Sequence, residues 1–171
     1  GLNLLSYEPG GTTVKTYRDE NVKAFAKNLL LVFCGKSRDS GINNWEVFKS
    51  AFDGDKKVLS CLNEIGRIAE DLGQKAILGK WEEVIELSKK EWAVRKDLCP
   101  GIETPETMAI DKAAINAGAK FTRICGAGGG GVMAIFVEPK YRPAVIEACE
   151  SAGGSVLDAG IDMDGLLVKA G

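Results

Sequence analysis

The sequence contains no histidine. No Ser–His–Asp or Cys–His arrangement can therefore be assembled from this chain, and any general base must be a carboxylate or a lysine. There is no C-x-x-C pair, and the five cysteines, Cys34, Cys61, Cys99, Cys125 and Cys149, are widely and irregularly spaced. An odd, scattered set without histidine argues against a disulfide framework and against structural zinc, and reads as reduced thiols in a cytoplasmic protein. No metal site is expected within the chain. Long apolar runs are also missing. The longest, Leu29 to Phe33 extended by Cys34, falls far short of the roughly 20 residues that span a bilayer. Charge of either sign is scarce in excess: 22 basic against 24 acidic residues give a net charge of −2. That balance points neither to a nucleic-acid partner nor to a membrane surface.

What is present is an ordinary globular composition, 45% hydrophobic and 27% charged, in 171 residues. That length suits one domain spanning 1–171, with no linker or repeat inside it. Leu2 to Tyr7 and the alternating, β-branched Thr12 to Tyr17 flank Pro9-Gly10-Gly11 and read as a hairpin. Glu20 to Asn28 is a connector or short helix, and Leu29 to Cys34 suits a central strand buried on both faces. After the polar loop Gly35 to Gly41, helical spacing resumes. Ile42, Trp45, Val47, Phe48, Ala51 and Phe52 share one broad face, with Asn43 or Asn44 available as a cap.

Two amphipathic helices follow, one capped by Asp55 and closed near Gly79, the next starting near Trp81 and ending before Pro100-Gly101. They could serve as an oligomer interface, and a homodimer is one expectation. Thr104-Pro105-Glu106 opens a further helix that Gly118 ends. Strands Lys120 to Cys125 and Val132 to Val137, a helix from Tyr141 to Ala152, and strands Ser155 to Asp158 and Gly165 to Lys169 complete the chain. A largely antiparallel sheet with helices stacked on one face is an α+β arrangement. The three tryptophans fall at helical positions, which suits packing rather than a ligand cage.

The segment Gly126-Ala127-Gly128-Gly129-Gly130-Gly131 is the most informative in the sequence. Glycine loses the most conformational freedom on folding, and two residues suffice for a tight hairpin turn. Successive backbone N–H groups without side chains can instead form a concave anion site. The letters satisfy G-x-G-x-x-G at Gly126, Gly128 and Gly131, but a dinucleotide site needs a helix next, and Val132 to Val137 reads as a strand. Gly35-Lys36-Ser37 lacks the earlier glycine of a P-loop, since Leu30 stands where it belongs. Ser37 and Arg38 are further candidates for substrate binding, because a guanidinium fork suits a phosphate or carboxylate. Arg123, beside the glycine loop, faces either that loop or solvent.

Arg123 to Met133 resembles the third conserved motif of the GHMP kinases, the family of galactokinase, homoserine kinase, mevalonate kinase and phosphomevalonate kinase. Leu30 to Arg38 resembles the strand and polar loop written LLVxxGxSRxS in sugar-directed members, especially heptose 7-phosphate kinase-like proteins, and so does the Pro100-Gly101-Ile102 break. The resemblance implies a ferredoxin-like C-terminal domain with a long helical insertion. It implies a kinase using ATP and Mg2+ to phosphorylate a hydroxyl of a sugar or sugar phosphate, or of a mevalonate-like alcohol. It also implies a second partner, the N-terminal kinase domain, whose P-x-x-x-G-L-G-S-S loop has no counterpart here. The family's catalytic aspartate and magnesium ligands belong to that half, so this chain alone is expected to be inactive. The rival expectation is a non-catalytic module that holds an anionic metabolite in the glycine loop.

Overall fold

The computed structural model describes residues 1–35, 40–98, 101–126, 128–165 and 168, the side chains of 40–43 excepted. The chain opens with an antiparallel hairpin, β1 (Leu2–Glu8) and β2 (Gly11–Tyr17), paired from Leu2↔Tyr17 to Glu8↔Gly11. Asp19 then caps α1 (Glu20–Ala26), its carboxylate accepting from the amides of Asn21 and Val22. Strand β3 (Leu29–Phe33) leads to α2 (Ser40–Phe52), α3 (Lys56–Ile77), α4 (Trp81–Leu98) and α5 (Pro105–Asn116). Strands β4 (Phe121–Ile124) and β5 (Val132–Phe136), α6 (Arg142–Ser151) and β6 (Ser155–Leu157) follow.

The four later strands form one antiparallel sheet in the order β4-β5-β3-β6. Without α2 to α4 the order of elements is β-α-β-β-α-β, which is the ferredoxin-like unit, with those helices as the insertion in its first crossover. Helix starts follow the chemistry of the sequence. Asp55 accepts from the amides of Lys57 and Val58 and caps α3. Thr104 and Thr107 exchange side-chain and backbone hydrogen bonds in a capping box ahead of Pro105.

Alternation along the sheet decides where the core sits. Leu30 and Val32 of β3, Met133 and Ile135 of β5, and Thr122 and Ile124 of β4 stand opposite one another and are all buried. They meet Ile110 and Ala114 of α5 and Val145 and Cys149 of α6, so α5 and α6 cover this face. The other face is covered only in part. Phe25 of α1 stacks on Trp81 at 4.3 Å between ring centroids and leans on Phe136 at 4.7 Å. Val84, Ile85 and Ser88 of α4, together with Phe121, Arg123 and Ala134 of the sheet, surround a small apolar cavity of about 140 Å³. Strand β3 is therefore fully buried on one face only, since Leu29 and Leu31 are half-buried and Phe33 reaches the surface.

Helices α3 and α4 form an antiparallel pair clasped near its turn by Lys75 and Lys80 on Glu83, at 2.5 and 3.1 Å. The β1–β2 hairpin rests on this pair where Leu4 packs against α3 at Gly73. Two sequence expectations give way here. Helix α2 begins at Ser40, so Asn43 and Asn44 lie inside it rather than at its cap. Its broad apolar face is buried only in part: Trp45, Phe48 and Phe52 are 65%, 57% and 88% exposed, while Val47 and Ala51 are half-buried, and α2 packs on α3. Of the three tryptophans, Trp92 is a core residue and Trp81 a stacking partner, while Trp45 packs little. Of the expected last strand, Gly165 and Val168 are described and neither is in a strand; its other members lie outside the described residues.

Candidate functional site

The glycine loop is the connection between β4 and β5, and both of its ends are fastened to the sheet. Cys125 N–H donates to the Val132 carbonyl at 2.7 Å and closes the β4–β5 ladder. Cys34 N–H donates to the Gly131 carbonyl at 2.7 Å, so β3 grips the other end. Between these fixed points Gly126, Gly128, Gly129, Gly130 and Gly131 all have positive φ, from 76° to 120°. An L-residue with a side chain pays about 1–2 kcal/mol for such a conformation, which accounts for the run of glycine. Ala127 lies outside the described residues, as do Ser37 and Arg38.

The loop is seated on the segment that precedes α5. Gly129 N–H donates to the Ile102 carbonyl at 2.8 Å. A Cβ on Gly128 would stand 3.0 Å from both Cα and O of Ile102. Gly128, Gly129 and Gly130 are consequently buried, whereas Gly126 is exposed and Gly131 half-buried. The N–H groups of Gly126, Gly128 and Gly130 donate to nothing among the described residues. A buried N–H left unmatched costs about 1–3 kcal/mol, and an anion seated in the loop would recover that cost.

Arg123 takes neither of the expected directions. Its guanidinium approaches Glu91 of α4, with Nη1 at 3.0 Å from Oε2. Arg95, one turn further along α4, binds Glu91 Oε1 at 2.6 Å through Nε. Glu91 is buried, and its Oε2 has the ion pair with Arg123 but no aligned hydrogen bond. Two arginines around one carboxylate tie α4 to the strand that enters the glycine loop. Nothing in the local sequence marks Glu91, which looks like one more acidic residue on a charged helix. The signal lay in its partners at positions 95 and 123, only one of which is local.

The thiols around the site differ in exposure. Cys34 and Cys149 are buried, and burial pushes each thiol up to about 11. Cys125 is exposed at the loop entrance. Among the described residues no three His, Cys, Asp or Glu side chains gather in a way that could hold a metal ion. The glycine amides thus suit the phosphates of a nucleotide or of a substrate, while Mg2+ finds no ligand set among the residues described. No helix among them is long and apolar enough to cross a membrane.

Comparison with known proteins places this geometry in a class. The chain superimposes on a putative sugar kinase from Campylobacter jejuni with a TM-score of 0.67 at 23% identity, over 96% of this chain and 46% of that one. Residues 58–155 fit the family described as GHMP kinases C terminal, and the chain belongs to that family. It is 27% identical to D-glycero-alpha-D-manno-heptose 7-phosphate kinase from Campylobacter jejuni over 113 residues, which is 66% of this chain and 33% of that protein. It is 29% identical to Glucuronokinase 1 from Arabidopsis thaliana over 132 residues, which is 73% of this chain and 34% of that protein. The chain spans about a third of the length of the curated relatives it matches.

Proposed function

We propose that residues 1–171 form a single C-terminal domain of an ATP-dependent kinase that phosphorylates a hydroxyl of a sugar or sugar phosphate. The glycine loop would hold the phosphoryl group in transit or a phosphate of the substrate. The observation that carries this reading is the set of amides at Gly126, Gly128 and Gly130 that meet no acceptor among the described residues, within a loop anchored at both ends. Two carbohydrate kinases among the curated relatives support the choice of substrate class over a mevalonate-like alcohol.

Phosphoryl transfer asks a protein mainly to position its reactants and to neutralise spread negative charge. The hydroxyl oxygen of the substrate forms a bond to the γ-phosphorus, the bond to the leaving oxygen breaks, ADP departs, and the hydroxyl proton passes to a base. This chain contributes fixed N–H donors, which are effective because they need no reorientation as charge develops. ATP and Mg2+ would be held chiefly by the N-terminal kinase domain, and the base would come from it as well. Ser37 and Arg38 would orient an anionic group on the substrate. A cytoplasmic location fits the reduced thiols.

The test is an ADP-release assay on the polypeptide that joins this chain to its ATP-loop half, across heptose phosphates, uronic acids and mevalonate. Turnover of a carbohydrate is the expected result. Loop amides that shift on addition of pyrophosphate, with no turnover of any alcohol, would transfer the assignment to an anion-binding module.

A further inference from the structure

The segment Gly101 to Thr104, between α4 and α5, touches the glycine loop, and the proposed chemistry leaves it without a task. Its geometry gives it one. Ile102 is buried and meets the loop through backbone and side chain together. Its carbonyl accepts from Gly129 N–H at 2.8 Å, while its Cα, O and Cγ2 stand 3.0 to 3.1 Å from where a Cβ on Gly128 would be. The segment itself is held on two sides. Thr104 is locked into the buried capping box of α5, and Glu103 pairs with Lys96 of α4 at 3.7 Å. Gly101, at φ +85°, lets the chain turn sharply ahead of both anchors.

From these contacts we infer that Ile102 is the positioning residue of the glycine loop. Three consecutive peptide units from Gly128 to Gly130 have few internal restraints of their own, since every one of these residues lacks a side chain. Ile102 supplies the restraint from outside. Its carbonyl fixes the plane of the peptide at Gly129, and its body stops Gly128 from swinging inward. Among the described residues the amides of Gly126, Gly128 and Gly130 then meet no acceptor. Ile102 touches neither phosphate nor substrate in this arrangement, and it acts only through the loop. The inference rests on the phosphate-binding reading for its consequence, and on the contacts alone for its geometry.

The experiment compares the wild-type chain with Ile102→Ala and Ile102→Val by amide hydrogen exchange, and titrates each with pyrophosphate. Loss of the Ile102 side chain is expected to speed exchange at Gly129 by about tenfold or more while the amides of Ile110 and Ala114 in α5 keep their protection, because the opening is local. Pyrophosphate binding should weaken by about tenfold in parallel, a change of about 1.4 kcal/mol. Ile102→Val should fall between the two, and it carries the test by itself if the alanine variant does not fold. Unchanged Gly129 exchange in both variants, or equal loosening of α5, would overturn the inference. A wild-type chain that binds no pyrophosphate would sink the phosphate reading instead, and the exchange comparison would still decide the role of Ile102.

Discussion

Two hairpins in this chain solve the same geometric problem with very different means. The first joins β1 to β2 through Pro9 and Gly10 alone, with Glu8 paired to Gly11 across the turn. The second joins β4 to β5 through the seven residues 125–131, five of them glycines at positive φ. Reversing the chain therefore needs two residues in this protein, and the remaining glycines of the second hairpin serve something else. Surroundings differ in step. Nearly every side chain of β1 and β2 is at the surface, as befits a two-stranded ribbon that leans on α3, whereas β5 runs through the middle of the core. One hairpin is held by its own ladder, the other by the fold around it.

The sharpest break of that comparison is a truncation on each side. Ile135 of β5 is fully buried between α5 and α6, and Ile135→Ala should cost about 2–5 kcal/mol through lost burial and the cavity left behind. Val14 of β2 is 58% exposed, and Val14→Ala should stay within about 0.5 kcal/mol. Urea unfolding of the two variants measures both. Equal losses would mean that the first hairpin is as integral to the folding unit as the second.

A smaller contrast comes from one methyl group in each connection. Gly10→Ala meets no atom within 4 Å, so its cost is the left-handed backbone alone, about 1–2 kcal/mol. Gly128→Ala bears the same backbone cost and drives its Cβ against the Ile102 backbone, where overpacking adds about 1–3 kcal/mol. The two melting curves should separate by that added amount. Coincident curves would show that the loop yields freely and that its seat on Ile102 is loose.

How much of this was legible in the letters follows from what each signal measures. The ferredoxin-like order could be read because turn glycines and capping residues are local: Asp55, Thr104-Pro105, Gly79 and Gly118 each mark a helix end by their own chemistry. The glycine run was legible for the same reason. Helical periodicity, by contrast, says which side chains share a face and nothing about what lies opposite it. Trp45, Phe48 and Phe52 therefore looked like core and stand in the open. A run of five apolar residues in β3 likewise concealed that only one face of the sheet is fully covered. Glu91 and Ile102 were invisible because their roles come from residues 32 and 27 positions away, Arg123 and Gly129, and no local pattern encodes those meetings.

The gentlest probe of the same contrast is alkali. Cys34 follows β3, Cys149 lies on α6 beneath the sheet, and both are buried, so both belong to the second hairpin's surroundings. Burial raises each thiol to about 11, against about 8.5 for a thiol in an unfolded chain. Above that lower value the unfolded chain releases protons that the native protein keeps. The native state then binds more protons than the unfolded one, and stability falls as pH rises. Stability should be level between about pH 6 and 8 and decline from about 8.5 towards 11. The lysines whose pKa is raised by ion pairs, Lys120 with Glu82 and Glu138 among them, add to the decline only above about 10.4, so the interval between isolates the thiols. Unfolding curves at stepped pH measure the slope. Replacing Cys34 and Cys149 together by alanine should flatten it, and a slope that persists in the double variant would assign the effect to groups outside this core.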